Sequence, residues 1–140
     1  MSPDECPSEN RAETKLRAII QYNCIPHYRR PLFELLSKCQ DVSFTIVADD
    51  KSDTPFLKTL GGDDASGIRT AYAPVRTIRL NRRAELYWQP HALRMLIDQR
   101  PDAVIALGTP YSLTAWALLV AGKALGIPVL LWGHGLLEEE

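Results

Sequence analysis

Apolar residues recur along this chain at two different periods, and the alternation of those periods is its first structural signal. Residues 17–24 (RAIIQYNC) form a short apolar run suited to a buried strand. Pro31 then opens a helical pattern in which Leu32, Leu35, Leu36 and Cys39 share one helix face. Residues 42–48 (VSFTIVA) are rich in β-branched side chains and predict a second strand. Residues 49–67 have the composition of a loop, with one helical turn at 56–60. Residues 68–80 alternate as a third strand interrupted near Pro74. A second helix is expected over 90–99, burying Leu93, Leu96 and Ile97, and residues 102–107 (DAVIAL) read as a fourth strand. A third helix over 111–125 ends at Gly126, with Pro128 preventing continuation, and residues 127–132 (IPVLLW) give a fifth strand.

Strands alternating with helices predict an α/β fold, a Rossmann-like doubly wound parallel sheet covered on both faces. Right-handed crossovers suggest the strand order 3-2-1-4-5, in a single domain over 15–140 preceded by a disordered leader at 1–14. In that order the winding reverses between the first and fourth strands, where α/β sheets bind ligands outside the carboxyl ends of their strands. Residues 23–30, 108–111 and 133–135 are expected to meet there. A helix covering the fifth strand is missing, so the chain reads as a truncated part of a longer protein; a small natural protein with a frayed tail is the alternative.

Charge narrows the partners. Sixteen Lys and Arg nearly balance seventeen Asp and Glu, so there is no electrostatic case for nucleic acid. Arg69, Arg76, Arg79, Arg82 and Arg83 nevertheless crowd one stretch, leaving open a phosphate, an anionic membrane surface or simply a solvated face. Cys6, Cys24 and Cys39 have no Cys-x-x-Cys spacing and suit free thiols in a reducing compartment. The apolar stretch at 113–122 falls short of the roughly 20 residues a bilayer span needs. With no signal peptide visible, the reading is cytoplasmic, with peripheral contact at the inner face of a membrane left open by the arginines.

Several chemistries fail at the expected crevice. There is no glycine between Asn23 and Pro31 to admit a pyrophosphate, so Asp49 and Asp50 after the second strand do not make a dinucleotide site. P-loop and nucleophile-elbow patterns are absent from the sequence, as are the acidic residues of a phosphorelay receiver. His27, His91 and His134 have no metal-site spacing. There remain His27, Thr109, Tyr111 and His134, flanked by Arg29 and Arg30, groups able to hydrogen-bond and stack on a sugar. His27 also reads as a residue leading into the helix, and His134 as a turn residue. Gly133 and Gly135 are expected to let the backbone bend and leave the His134 imidazole at the strand end.

Three segments carry a resemblance. Residues 25–36 (IPHYRRPLFELL) resemble the first strand–helix junction of a branch of the family-four glycosyltransferases. Residues 100–106 (RPDAVIA) and 126–135 (GIPVLLWGHG) are similar to that family's fourth-strand segment and its fifth strand ending in His-Gly. The resemblance, over about residues 17–135, implies the N-terminal domain of a GT-B enzyme with no cofactor and no required metal. It implies that this domain holds a glycan or lipid-linked acceptor, that a missing C-terminal domain mainly holds the nucleotide-sugar donor, and that the fragment alone is inactive. The histidine beside the transferred sugar corresponds to His134; His27, Arg29, Arg30, Thr109, Tyr111, Gly133 and Gly135 are the candidate substrate contacts. The family's Gly-Gly pair after the first strand is replaced by Cys24-Ile25-Pro26. The rival expectation is a non-catalytic Rossmann-like binding or interaction module.

Overall fold

The computed structural model describes residues 15–50 and 69–133. The expected leader at 1–14, the turn at 56–60, His134 and Gly135 lie outside the described residues. In chain order the structure comprises β1 (Leu16–Cys24), a 3-10 turn (His27–Arg29), α1 (Arg30–Ser37), β2 (Val42–Asp49), β3 (Thr70–Tyr72), β4 (Arg76–Arg79), β5 (Glu85–Trp88), α2 (Pro90–Gln99), β6 (Ala103–Leu107), α3 (Leu113–Leu125) and β7 (Val129–Trp132). The fold is α/β and broadly Rossmann-like. Five parallel strands are ordered β3-β2-β1-β6-β7, and β4 and β5 form a separate antiparallel pair.

That numbering departs from the expected 3-2-1-4-5 because the third strand does not run through to residue 80. Its sheet portion is only Thr70–Tyr72. Pro74 has no N–H to continue the ladder, and the Val75 N–H donates to Asp49 Oδ2 at 2.9 Å instead of to a strand. Asp49 is thus spent on ending the strand. The chain then leaves the sheet and returns as the β4–β5 hairpin, which interposes two strands before β6.

β1 is central, and Ala18, Ile19, Ile20 and Gln21 are all buried, as a strand with neighbours on both edges and layers on both faces requires. Alternate residues divide between two cores. Ile20, Ile46 and Ala48 join Ile25 and Phe33 on the α1 face. Ile19, Val47, Val104 and Ala106 join Ala92, Met95 and Leu96 of α2 and Ala115 and Leu118 of α3 on the other. Each such large apolar side chain contributes about 1.5–3 kcal/mol by leaving water.

Two helix faces differ from expectation by a step of phase. In α1 the buried residue is Phe33, while Leu32 and Leu35 are exposed; the larger ring takes the inward position and reaches Tyr22, at a centroid separation of 6.5 Å. In α2 the buried residues are Ala92, Met95 and Leu96; Leu93 packs at the margin and Ile97 is 48% exposed. Small Ala92 permits close approach to the sheet, so it lies inward in place of the bulkier Ile97.

Local chemistry sets the ends of α3. Ser112 caps it by accepting from the Ala115 N–H at 3.1 Å, and Gly126 closes it at φ 70°, a left-handed conformation that costs glycine nothing. Inside α3, Gly122 lets β7 pass close by: a Cβ there would stand 2.5 Å from Val129 Cγ2 and 2.8 Å from the Ile127 carbonyl oxygen. Gly122→Ala is expected to lower stability by about 1–3 kcal/mol in urea unfolding, despite alanine's better helix propensity. A neutral or stabilising result would show that β7 does not press against α3 there.

Candidate functional site

At the carboxyl edge of the sheet the pairing of β1 with β6 ends, and a side chain takes the next N–H. The last backbone pair between them is Gln21 with Ala106. Beyond it the Leu107 N–H donates to Gln21 Oε1 at 3.2 Å, so a side-chain amide stands where the strand ladder would continue. β1 also shifts register against β2 between Gln21 and Cys24. Gln21 Nε2 donates to Gln89 Oε1 at 3.0 Å; Gln89 Nε2 donates to the Ala73 carbonyl at 3.0 Å; and the Gln89 N–H donates to Thr114 Oγ1 at 2.7 Å. Gln21, Gln89 and Thr114 are at most 1% exposed. This amide chain ties β1, the end of β3, the start of α2, β6 and α3 together, and its bonds are buried except for that from the Leu107 N–H, which is part-buried.

One wall is aromatic and cationic. The Arg29 guanidinium lies 5.2 Å from the ring centroid of Trp132, 5.7 Å from that of Tyr22 and 6.0 Å from that of Tyr28. Tyr22 and Trp132 meet edge to face at 6.1 Å. The arginine therefore bridges the 3-10 turn after β1 to the end of β7, two strands away. Its Nε is buried without a hydrogen-bond partner, and no carboxylate among the described residues pairs with it. Ring quadrupoles supply the attraction, worth about 0.5–2 kcal/mol per well-placed ring. Burial pushes the Tyr22 phenol above its ordinary value of 10.0, and the Arg29 charge pulls it partly back.

The other sequence-derived candidates divide among several roles. His27 is exposed, its ring edge-on to Tyr28 at 6.2 Å. Arg30 does not reach the opening as a free cation: it pairs with Glu34 at 2.7 Å within α1. Thr109 and Pro110 spend backbone carbonyls on the start of α3, accepting from the Ser112 N–H and Trp116 Nε1, each at 3.1 Å. Tyr111 is turned to the hairpin, where its carbonyl accepts from the Tyr87 N–H at 2.9 Å and its side chain lines a cavity with Tyr87, Arg82 and Arg83. Among the described residues no hydrogen bond, ion pair or ring contact joins Thr109 or Tyr111 to His27, Arg29 or Arg30. Gly133 does not use a left-handed backbone. It is needed for proximity: a Cβ on it would stand 3.2 Å from the Gly108 carbonyl oxygen, and one on Gly108 would stand 3.1 Å from that of Trp132. The Gly108 N–H donates to that same Trp132 oxygen at 2.6 Å, closing the β6 and β7 ends together.

The site thus offers a fixed positive charge, aromatic faces and exposed imidazole and phenol groups. Among the described residues no three His, Cys, Asp or Glu side chains are grouped to hold a metal, and no helix is long and apolar enough to cross a membrane. Gln21, Gln89, Tyr22 and Trp132 were missed by sequence reasoning; the one available signal was a glutamine inside the apolar run RAIIQYNC. Comparison with family models, curated proteins and solved structures finds no match for this chain.

Two outcomes test this geometry. Gln89→Leu leaves Gln21 Nε2 and the Ala73 carbonyl buried without their partner, and is expected to cost about 2–4 kcal/mol in urea unfolding. A loss well under 1 kcal/mol would remove the amide chain from the structure's supports. Arg29→Met removes the charge that holds the Tyr22 phenol down, so Tyr22 should titrate still higher, as followed by its ring-carbon NMR shift. The sign for stability follows: Tyr22's contribution is full below 10.0 and is lost as pH rises through the higher folded value. An unchanged Tyr22 midpoint in Arg29→Met would place the cation away from the ring.

Proposed function

We propose that this chain is the N-terminal, acceptor-binding domain of a GT-B glycosyltransferase of the family-four kind. In this reading it presents a glycan or lipid-linked acceptor to a nucleotide-sugar held mainly by a C-terminal domain. The observation that carries the reading is the end of β1–β6 pairing, with the Arg29–Tyr22–Trp132 stack on one side and the close approach of Gly108 and Gly133 on the other. Aromatic faces beside polar edges match the surface of a sugar, with apolar C–H patches between hydroxyls. His27 and Tyr28 at the turn are exposed and free to take hydroxyl groups. The imidazole of His134, next after Gly133 in the chain, supplies a hydrogen bond to the transferred sugar as positive charge develops on its ring. Neither metal nor cofactor enters the reading, and the diphosphate leaving group is stabilised by cations of the donor half.

The division of labour is tested by calorimetry. Uridine and guanosine diphosphate sugars should bind this chain no tighter than about millimolar. Micromolar binding would contradict a donor site in another domain. On a glycan array the chain should retain acceptor-type oligosaccharides, and the Tyr28→Ala variant should lose most of that retention; an array with no glycan retained defeats the reading. In a chain carrying the donor-binding half, His134→Ala should lower turnover by about 10²-fold or more with the melting temperature nearly unchanged. Lost stability with unchanged turnover per folded molecule would make His134 structural.

A further inference from the structure

The β4–β5 hairpin gives the crowded arginines a geometry that the sequence alone left open. Its four pairs run from Arg76 opposite Trp88 to Arg79 opposite Glu85. The turn is locked by local bonds: the Leu80 N–H donates to the Ala84 carbonyl at 3.0 Å, and the Arg83 N–H donates to Asn81 Oδ1 at 2.8 Å. Arg82 and Arg83, both exposed, are consecutive residues of this bonded turn and line one cavity. This cavity, of about 270 Å³, is completed by Glu85, Tyr87 and Tyr111. The Tyr87 N–H bond to the Tyr111 carbonyl holds the hairpin against the loop after β6, so the cavity has walls from two separate parts of the chain.

The charge in this cavity is unbalanced. Among the described residues Glu85 is its one carboxylate, and Arg79 already engages it from the opposite strand, at 3.1 Å through Nη2 and 3.2 Å through Nε. Among the described residues Arg82 and Arg83 make neither an ion pair nor a side-chain hydrogen bond. Two planar forks with no donor spent on a described residue, sharing a cavity with two tyrosines, match the oxygens of a phosphate and whatever ring or chain the phosphate carries.

We infer that the cavity lined by Arg82, Arg83, Tyr87 and Tyr111 binds a phosphate-bearing ligand, as a soluble phosphate ester or as the headgroup of an anionic lipid. The phosphate takes the Arg82 and Arg83 forks, and the Tyr111 ring, half exposed, packs against the group attached to it. This site rests on the hairpin and the loop after β6, and it holds whether or not the chain serves sugar transfer.

The experiment uses the whole 140-residue chain and two probes: inorganic pyrophosphate in calorimetry, and sedimentation with phosphatidylglycerol or phosphatidylcholine vesicles. Saturable pyrophosphate binding supports a soluble ester. Binding confined to phosphatidylglycerol vesicles supports a lipid headgroup. In whichever assay responds, Arg82→Ala with Arg83→Ala should weaken binding by about tenfold or more, and added salt should weaken it further. Arg82→Lys with Arg83→Lys keeps the charge and loses the forks, and should restore only part of the affinity. Both arginines are exposed in a turn, so the melting temperature should not move. Absence of binding to both probes overturns the site. Full binding by the lysine pair also overturns it, because the surface is then a diffuse positive patch and not a built cavity.

Discussion

The buried amide pair Gln21–Gln89 is the constraint on which the rest of the architecture turns. An amide out of water must find its partners inside the protein, and these two find them on five different elements. To supply those partners, the end of β3 has to stay near the start of α2 although a hairpin intervenes, and α3 has to begin beside both. The same pair decides where the sheet opens. Gln21 takes the Leu107 N–H for its side chain, so β1 and β6 stop pairing at that level and separate. A topological reversal of winding already disposes this place to be a crevice; the glutamine takes the N–H beyond the last backbone pair.

The two sides of the opening are then built by opposite means. On the β1 side, bulk is added: Arg29 is gripped among Tyr22, Tyr28 and Trp132, and an apolar–cationic stack holds the turn in register with the far strand β7. On the β6 side, bulk is removed: Gly108 and Gly133 let the backbones of the β6 and β7 ends touch. Both sides are thus held by contacts within the chain, and groups held in that way lose little binding energy to ordering.

The parts of this fold that were legible in the sequence are those fixed by local chemistry or by burial on both sides. Residues 17–24, 42–48 and 102–107 are compact apolar runs, because a covered parallel sheet needs no polar face, and they lie largely in strands; 127–132 reads the same way although Leu130 and Leu131 of the edge strand are exposed. Pro31 near the start of α1 and Gly126 after α3 act through their own backbone angles and were readable for that reason. What depends on a distant partner was not legible. The stretch 76–79 looks like a continuation of the preceding strand until ELYW at 85–88 is known to fold back on it. Gln21 and Gln89 are 68 residues apart; Gln21 stands out only as a glutamine within an apolar run, and nothing local names Gln89 as its partner. The candidate contacts suffered similarly: Arg30 reads as a free cation until Glu34, one helical turn on, is seen to take it. Tyr111 reads as facing the first strand until the hairpin claims it.

That hairpin changes how charge is distributed along the carboxyl edge. Arg29 is half-buried against aromatic rings, so its field is less screened than that of an arginine standing in solvent. Arg82 and Arg83 stand in solvent, where a Debye length of about 8 Å at physiological ionic strength limits each and where a side chain must be ordered before it contributes. A fixed turn removes part of that ordering cost, since the Asn81 side chain holds the Arg83 backbone before any ligand binds. The half-buried arginine is therefore suited to setting geometry and the exposed pair to capture, and the loop after β6 lies in contact with the hairpin that carries the pair. A ligand held at the hairpin by its phosphate would be retained beside the β6 loop, and its effective concentration at the opening would rise without any increase in the affinity of the opening itself.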